Sequence, residues 1–168
     1  MTVGLRRATV DDAIRFYAWR LEDEARRFLP AFAAPLSFED HLTWFISRVA
    51  TMSWWVAEIS DETKHIVHDG VLGQSFLRPV GCLRIDERQY VSVIVDAAWR
   101  GHGYGVQIVK LAQCADHDAR DKYESVPYRE LFARIHRLNT PSQKTFEQAG
   151  FVQFTNVDDV WIDYKKES

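Results

Sequence analysis

Apolar and polar residues along this chain recur in blocks, and the period within each block predicts an element. Residues 3–7 read as a strand, and Thr9 with Asp12 makes a capping pair for a helix whose Ile14, Tyr17, Ala18 and Leu21 recur at helical spacing. Pro30 and Pro35 bracket an aromatic connector. Ser37 with Asp40 then caps a second helix, with Leu42, Phe45, Ile46 and Val49 on one face. Residues 54–59, 80–85 and 89–95 are β-rich, and Asp86-Glu87-Arg88 joins the last two as a hairpin turn. Residues 60–79 show no clear period beyond a turn signal at Asp69-Gly70.

Helical spacing returns at Tyr104, Ile108, Leu111, Ala112 and Ala115. After a connector at 124–127, Leu131, Ala133 and Ile135 alternate with Phe132, Arg134 and His136, which predicts a strand. Thr140 and Gln143 form a capping box with Pro141 at the first helical position, and Gly150 stands where that helix stops. Residues 152–154 and 160–164 make a closing strand pair around a turn at 156–159.

One junction carries chemistry. The β-branched run Val93-Ile94-Val95 leads through Asp96-Ala97-Ala98-Trp99 into Arg100-Gly101-His102-Gly103-Tyr104-Gly105, and the helix starts there. Glycines without a Cβ can turn backbone N–H groups toward an anion, and the positive end of the helix faces the same place. Arg100 adds a charge. The dinucleotide fingerprint is excluded because it needs Gly-x-Gly-x-x-Gly, and the nucleotide-hydrolase loop because it needs Gly-Lys-Ser/Thr.

Arg100 to Gly105 instead fits Gln/Arg-x-x-Gly-x-Gly/Ala and resembles the signature of the GNAT superfamily of N-acetyltransferases. Asn139-Thr140-Pro141-Ser142 through Phe146-Glu147-Gln148-Ala149-Gly150-Phe151 resembles the family's second segment, Asn-x-x-Ala/Ser-x-x-x-Tyr/Phe-Glu-x-x-Gly-Phe. The order of elements is similar to that family from end to end. The resemblance implies an α/β (α+β) fold, with a mixed, mostly antiparallel central sheet, helices on both faces and a splayed strand pair holding acetyl-CoA. It places the pyrophosphate at Arg100, Gly101, His102, Gly103, Tyr104 and Gly105, and the pantetheine beside Ile94, Val95 and Asn139. Ser142 and Phe146 would lie near the thioester sulfur.

Acetyl transfer needs a neutral amine, a polarised carbonyl and a proton for the thiolate. The resemblance implies a backbone N–H near Val95 for the carbonyl. Phe146 stands where the family commonly has a proton-donating tyrosine, so either Ser142 protonates the thiolate or it leaves unassisted. For the base, Gln89, Tyr90 and Ser92 occupy the strand where some relatives carry a glutamate, and Asp86 and Glu87 lie just upstream as either turn charges or base. His41 is a further candidate base, because an imidazole titrates near neutral pH.

Trp19-Arg20-Leu21-Glu22-Asp23-Glu24-Ala25-Arg26-Arg27 and Ser37-Phe38-Glu39-Asp40-His41-Leu42-Thr43-Trp44-Phe45 resemble a pattern in acetyltransferases of nucleotide-linked 4-amino sugars, with Leu21 in place of an asparagine. The implied substrate contacts are Trp19, Arg20 and Trp44, through ring faces and a phosphate-binding charge. Ribosomal-protein N-terminal acetyltransferases share parts of the pattern, and a non-catalytic acyl-CoA-binding module is a third reading.

Composition narrows the setting. At 168 residues, 46% of them hydrophobic, the chain suits one acetyltransferase domain. A net charge of −3 supplies no basic field for nucleic acid, so the expected partner is a small-molecule amine. Cys82 and Cys114 lack metal-ligand spacing and read as buried thiols, no metal is expected, and no apolar run or leader suggests a membrane. A cytoplasmic monomer or homodimer is the expectation.

Overall fold

The computed structural model describes residues 2–28, 37–49, 53–60, 77–115 and 130–166. Strands β1 (Val3–Arg7), β2 (Ser53–Ser60), β3 (Leu77–Ile85) and β4 (Val91–Val95) pair antiparallel in that order. Strands β5 (Phe132–His136), β6 (Phe151–Asn156) and β7 (Trp161–Lys166) form a second antiparallel sheet, ordered β5-β7-β6. Helices α1 (Ala13–Leu21), α2 (Asp23–Arg27) and α3 (Phe38–Val49) come before β2, α4 (Tyr104–Lys110) follows β4, and α5 (Thr140–Gln148) follows β5. Among the described residues the sheets meet at one parallel bridge, Tyr90 to Phe132, where the Phe132 N–H donates to the Gln89 carbonyl at 3.0 Å.

Strand alternation sorts side chains into two cores on opposite faces of the first sheet. Trp55, Ala57 and Ile59 of β2 point to the back, with Leu83, Ile85, Val91, Tyr104, Ile108, Phe146, Phe151 and Tyr164. Trp54 and Val56 point to the front, with Ala13, Phe16, Trp19, Phe45 and Cys82. The back core includes residues of both sheets, α4 and α5, and so joins them.

The front helices sit rotated from the predicted stripes. Ala13, Phe16 and Trp19 are the buried face of α1, while Ile14 is 65% exposed. In α3 the buried residues are His41 and Phe45, while Ile46 faces solvent. Phe16 and Trp19 bury more apolar area than Ile14 and Leu21, and the larger rings set the helix rotation.

The cap of α5 also shifts. Asn139, not Thr140, is the N-cap, its Oδ1 accepting from the Ser142 N–H at 3.2 Å. Gln143 Nε2 instead donates to the Arg137 carbonyl at 2.7 Å. Ser37 caps α3 as read, its Oγ accepting from the Asp40 N–H at 3.1 Å. The separate helix α2 has no counterpart in the sequence reading; Glu22, with ψ 133°, breaks it from α1. Cys82 is buried, which pushes its thiol up to about 12, whereas Cys114 is exposed rather than buried. The Pro30–Pro35 connector, the Asp69-Gly70 turn and the 124–127 connector lie outside the described residues.

Candidate active site

From the Tyr90–Phe132 bridge β4 and β5 run on in parallel and unpaired. Asp96 N–H donates to the Val80 carbonyl at 2.9 Å and the Gln89 carbonyl faces β5, so by alternation Val91, Val93 and Val95 present their main-chain groups to the gap. On β5, Leu131 and Arg137 bond toward β7, which leaves Arg134 and His136 facing β4. Two strand edges thus meet across a split about 17 Å long with unpaired donors and acceptors on both walls. An extended arm bearing amides fits such a slot.

At the open end of β4 the chain enters the glycine loop. Gly101 and Gly103 have φ of 79° and 78°, a region that favours glycine, and a Cβ at either would meet nothing within 4 Å. Among the described residues the N–H groups of Gly101, His102 and Gly103 make no hydrogen bond. With the first turn of α4 they form an open, donor-rich concavity suited to a pyrophosphate. Gly105 serves a different need: a Cβ there would lie 3.2 Å from Thr145 of α5, so its absence lets α4 sit against α5 and the end of β4.

The loop is braced from the front. Asp96 accepts the Ala98 N–H at 2.9 Å through Oδ1 and the Trp19 indole N–H at 2.8 Å through Oδ2. Trp19 is only 3% exposed, so its place is packing and loop positioning rather than the substrate contact expected from the sequence. Arg100 donates from Nε to the Val95 carbonyl at 3.0 Å, from Nη1 to Glu24 at 2.9 Å and from Nη2 to Glu22. Its guanidinium is therefore committed to α2 and the β4 edge. The His102 Nδ1 donates to the Arg100 carbonyl at 2.9 Å, and its ring stacks on buried Tyr104.

Across the split, Asn139 uses Oδ1 as the α5 cap, and its Nδ2 makes no hydrogen bond among the described residues. Ser142 is half-buried in the first turn of α5, its hydroxyl likewise without a bond among them. Phe146 is buried edge-on against Phe151, with ring centroids 5.1 Å apart.

The remaining candidates are dispersed. His41 is 2% exposed, and its Nε2 donates to the Ala13 carbonyl at 3.1 Å, which ties α3 to α1. Burial pulls its pKa below the ordinary range, with the nearby Arg20 charge acting the same way. A buried ring with Nε2 committed is a helix–helix tie and not the base expected from the sequence. Glu87 sits in the β3–β4 turn with its side chain 82% exposed, 3.9 Å from Arg48. Arg20 and Trp44 remain half-buried, the guanidinium stacked 5.4 Å over the indole.

Sequence reasoning missed a polar cluster at the closed end of the split. Asp163 of β7 is buried and accepts from Arg134 Nε at 2.8 Å, from Arg134 Nη2 at 2.8 Å and from the Tyr90 hydroxyl at 2.9 Å. The Arg134 guanidinium holds the Asp163 carboxyl below its usual range, while burial and then Asp163 push the Tyr90 phenol up. These contacts pin β4, β5 and β7 together where the split begins. A charge inside Trp161-Ile162-Asp163-Tyr164 was the available signal.

Comparison with known proteins decides the family. The family model described as an acetyltransferase (GNAT) domain matches residues 2–152. This chain belongs to the GNAT family. The Bacillus subtilis (strain 168) protein named "Putative phosphinothricin acetyltransferase YwnH" is 28% identical over 130 residues, 77% of this chain and 72% of its own length. A domain from Methanocaldococcus jannaschii DSM 2661 superposes with a TM-score of 0.74 at 20% identity, over 98% of this GNAT chain and 97% of that one. AAC(6')-Ib in complex with ribostamycin and coenzyme A gives 0.67 at 16% identity, over 99% and 93% of the two chains. The protein is thus an N-acetyltransferase of the GNAT fold. Among the described residues no group of side chains is arranged to hold a metal, and no helix is long and apolar enough to cross a membrane.

Proposed function

We propose that this GNAT protein moves an acetyl group from acetyl-CoA to the primary amine of one small acceptor, a nucleotide-linked amino sugar being the reading its front helices support. The observation that carries the donor half is the split: two unpaired strand edges that run from the Tyr90–Phe132 bridge to the open Gly101–Gly103 loop. When bound, acetyl-CoA supplies an acyl group activated by its thiol leaving group.

The chain's own groups do the rest. The N–H groups of Gly101, His102 and Gly103 receive the pyrophosphate, and the Asn139 Nδ2 with the outward groups of Val93 and Val95 hold the arm in register. Ile94 has its side chain on the front face of the same strand. An outward N–H of Val93 or Val95 polarises the acyl carbonyl as the amine nitrogen forms its bond to carbon and the carbon–sulfur bond breaks. In this reading Ser142 gives a proton to the sulfur and takes one back from water. With His41 committed to Ala13 and Glu87 in solvent, the amine proton passes to water, which favours an acceptor whose amine is partly neutral near pH 7.

Gly103→Glu puts bulk and negative charge into the loop. It is expected to abolish the thermal stabilisation produced by coenzyme A while the apo protein stays folded; unchanged coenzyme A affinity would refute the loop assignment. A mass-spectrometric panel of UDP-amino sugars, aminoglycosides, polyamines and short peptides tests the acceptor. Acetylated peptide beside untouched amines would overturn the small-acceptor reading.

A further inference from the structure

The front face holds two arginines, Arg20 and Arg84, that no carboxylate among the described residues neutralises. Arg20 of α1 stacks 5.4 Å over Trp44, Arg84 of β3 lies 5.9 Å over Trp54, and the two indoles meet edge to face at 5.5 Å. The four side chains come from α1, α3, β2 and β3 and form one continuous cluster.

Two features of that cluster suit an added anion: the absence of carboxylate partners among the described residues and the unpartnered buried donors. Arg6, Arg100 and Arg134 each ion-pair with a carboxylate. Arg20 and Arg84 do not, among the described residues. Arg84 Nη2 reaches only the Ser92 hydroxyl, at 3.4 Å, and its Nε is fully buried with no acceptor. The Trp54 indole N–H beside it is likewise buried without a partner. Burial, and then the charge of Arg84, pulls Arg20 below its ordinary pKa, so the two cations sense each other. A half-buried like-charge pair with two orphan donors costs free energy that the stacked indoles offset and a bound anion would offset further.

Its position relates it to the split. Arg84 and Ser92 are register partners across β3 and β4, and Ser92 lies between Tyr90 and Ile94 on the strand that forms one wall. Val93, which presents its N–H to the slot, is the next residue.

We propose that Arg20 and Arg84, with Ser92, form a subsite for an anionic group, carboxylate or phosphoryl, carried by the acceptor amine. The guanidinium fork supplies paired donors that suit either oxyanion, and the Trp44 face borders it. This rests on the acetyltransferase reading and restricts its acceptor to amines that bear a negative group.

The test is a set of matched acceptors, each assayed with acetyl-CoA: an α-amino acid against its amide, and a UDP-amino sugar against the free amino sugar. The expected result is at least a tenfold higher kcat/KM for the anionic member of one pair, and which pair identifies carboxylate or phosphoryl. In Arg84→Gln and in Arg20→Gln that preference disappears, mainly through KM, while Arg84→Lys restores part of it. Should Arg84→Gln fail to fold, Arg20→Gln on the half-exposed helix gives the same readout. Equal or better acetylation of the neutral members, or a preference that survives Arg20→Gln, overturns the anion subsite and leaves the acetyltransferase reading standing. No acetylation of any amine overturns both.

Discussion

The back core and the front core are built from the same strands but differ in what they leave unpaired. Behind the sheet, Leu83, Ile85, Ile108, Leu131 and Phe151 are almost wholly apolar and fully buried, and they include residues of both sheets. In front, the cluster of Phe16, Trp19, Phe45 and Trp54 is mostly aromatic and sits against His41, Arg20 and Arg84, with indole and guanidinium donors left over. A layer that only holds the chain together has no use for such donors. The contrast fits a back that supplies stability and, under the anion-subsite proposal, a front that supplies recognition.

The sharpest way to break that division is Ile108→Ala. Ile108 is fully buried behind the sheet, and the loss should be about 2–5 kcal/mol in chemical denaturation. A cost below that range would mean that the back core does not dominate.

Asp163→Asn comes next, at about 1–2 kcal/mol, because an amide cannot accept both Arg134 and Tyr90 as a carboxylate does. Its pH signature is more specific. The folded carboxyl titrates below its unfolded value of about 3.9, so the ionised form stabilises the fold above that pH, and the contribution is lost as pH falls through the lower folded value. Denaturation followed from pH 6 to pH 2 should show a smaller acid loss in the variant than in the parent.

Trp19→Phe keeps a ring in the front core but deletes the donor to Asp96, and should cost about 1 kcal/mol. It should also weaken coenzyme A binding in titration calorimetry, because Asp96 braces the start of the loop. Trp54→Phe is the smallest: lost ring volume is offset by removal of a buried N–H with no partner, for a net change of about 1 kcal/mol or less in thermal unfolding. A large loss would show that the Trp54 N–H is satisfied in solution.

What the sequence made legible follows the same division. The Gly101–Gly103 loop and the Gly150 stop of α5 are legible because they are local: a positive φ leaves its mark in a glycine, whereas the α5 cap falls one residue earlier than the sequence suggests. The strands of the back core were legible through alternation, as at Ala133 and Ile135. The front was not. Whether Ile14 or Phe16 turns inward depends on ring packing against Phe45 and Trp54, more than 25 residues away, and periodicity is blind to that choice. His41 reads as a candidate base and Trp19 as a substrate contact because an imidazole and an indole look functional in a string; their bonds to the Ala13 carbonyl and Asp96 exist only in three dimensions. Arg84 and Asp163 were overlooked inside strands, where a lone charge among apolar neighbours was the mark to follow.

Helix α2 is five residues long and buries none of them, so neither core anchors it. Its N-terminal mooring is ionic, through Glu22 and Glu24 to the one guanidinium of Arg100, which also holds the carbonyl at the end of β4. Partly exposed ion pairs are screened within about 10 Å at 0.1 M salt, whereas apolar packing is not. Raising ionic strength should therefore weaken the mooring of α2 more than either core, which salt-dependent hydrogen exchange of residues 22–27 against β2 and β3 would check.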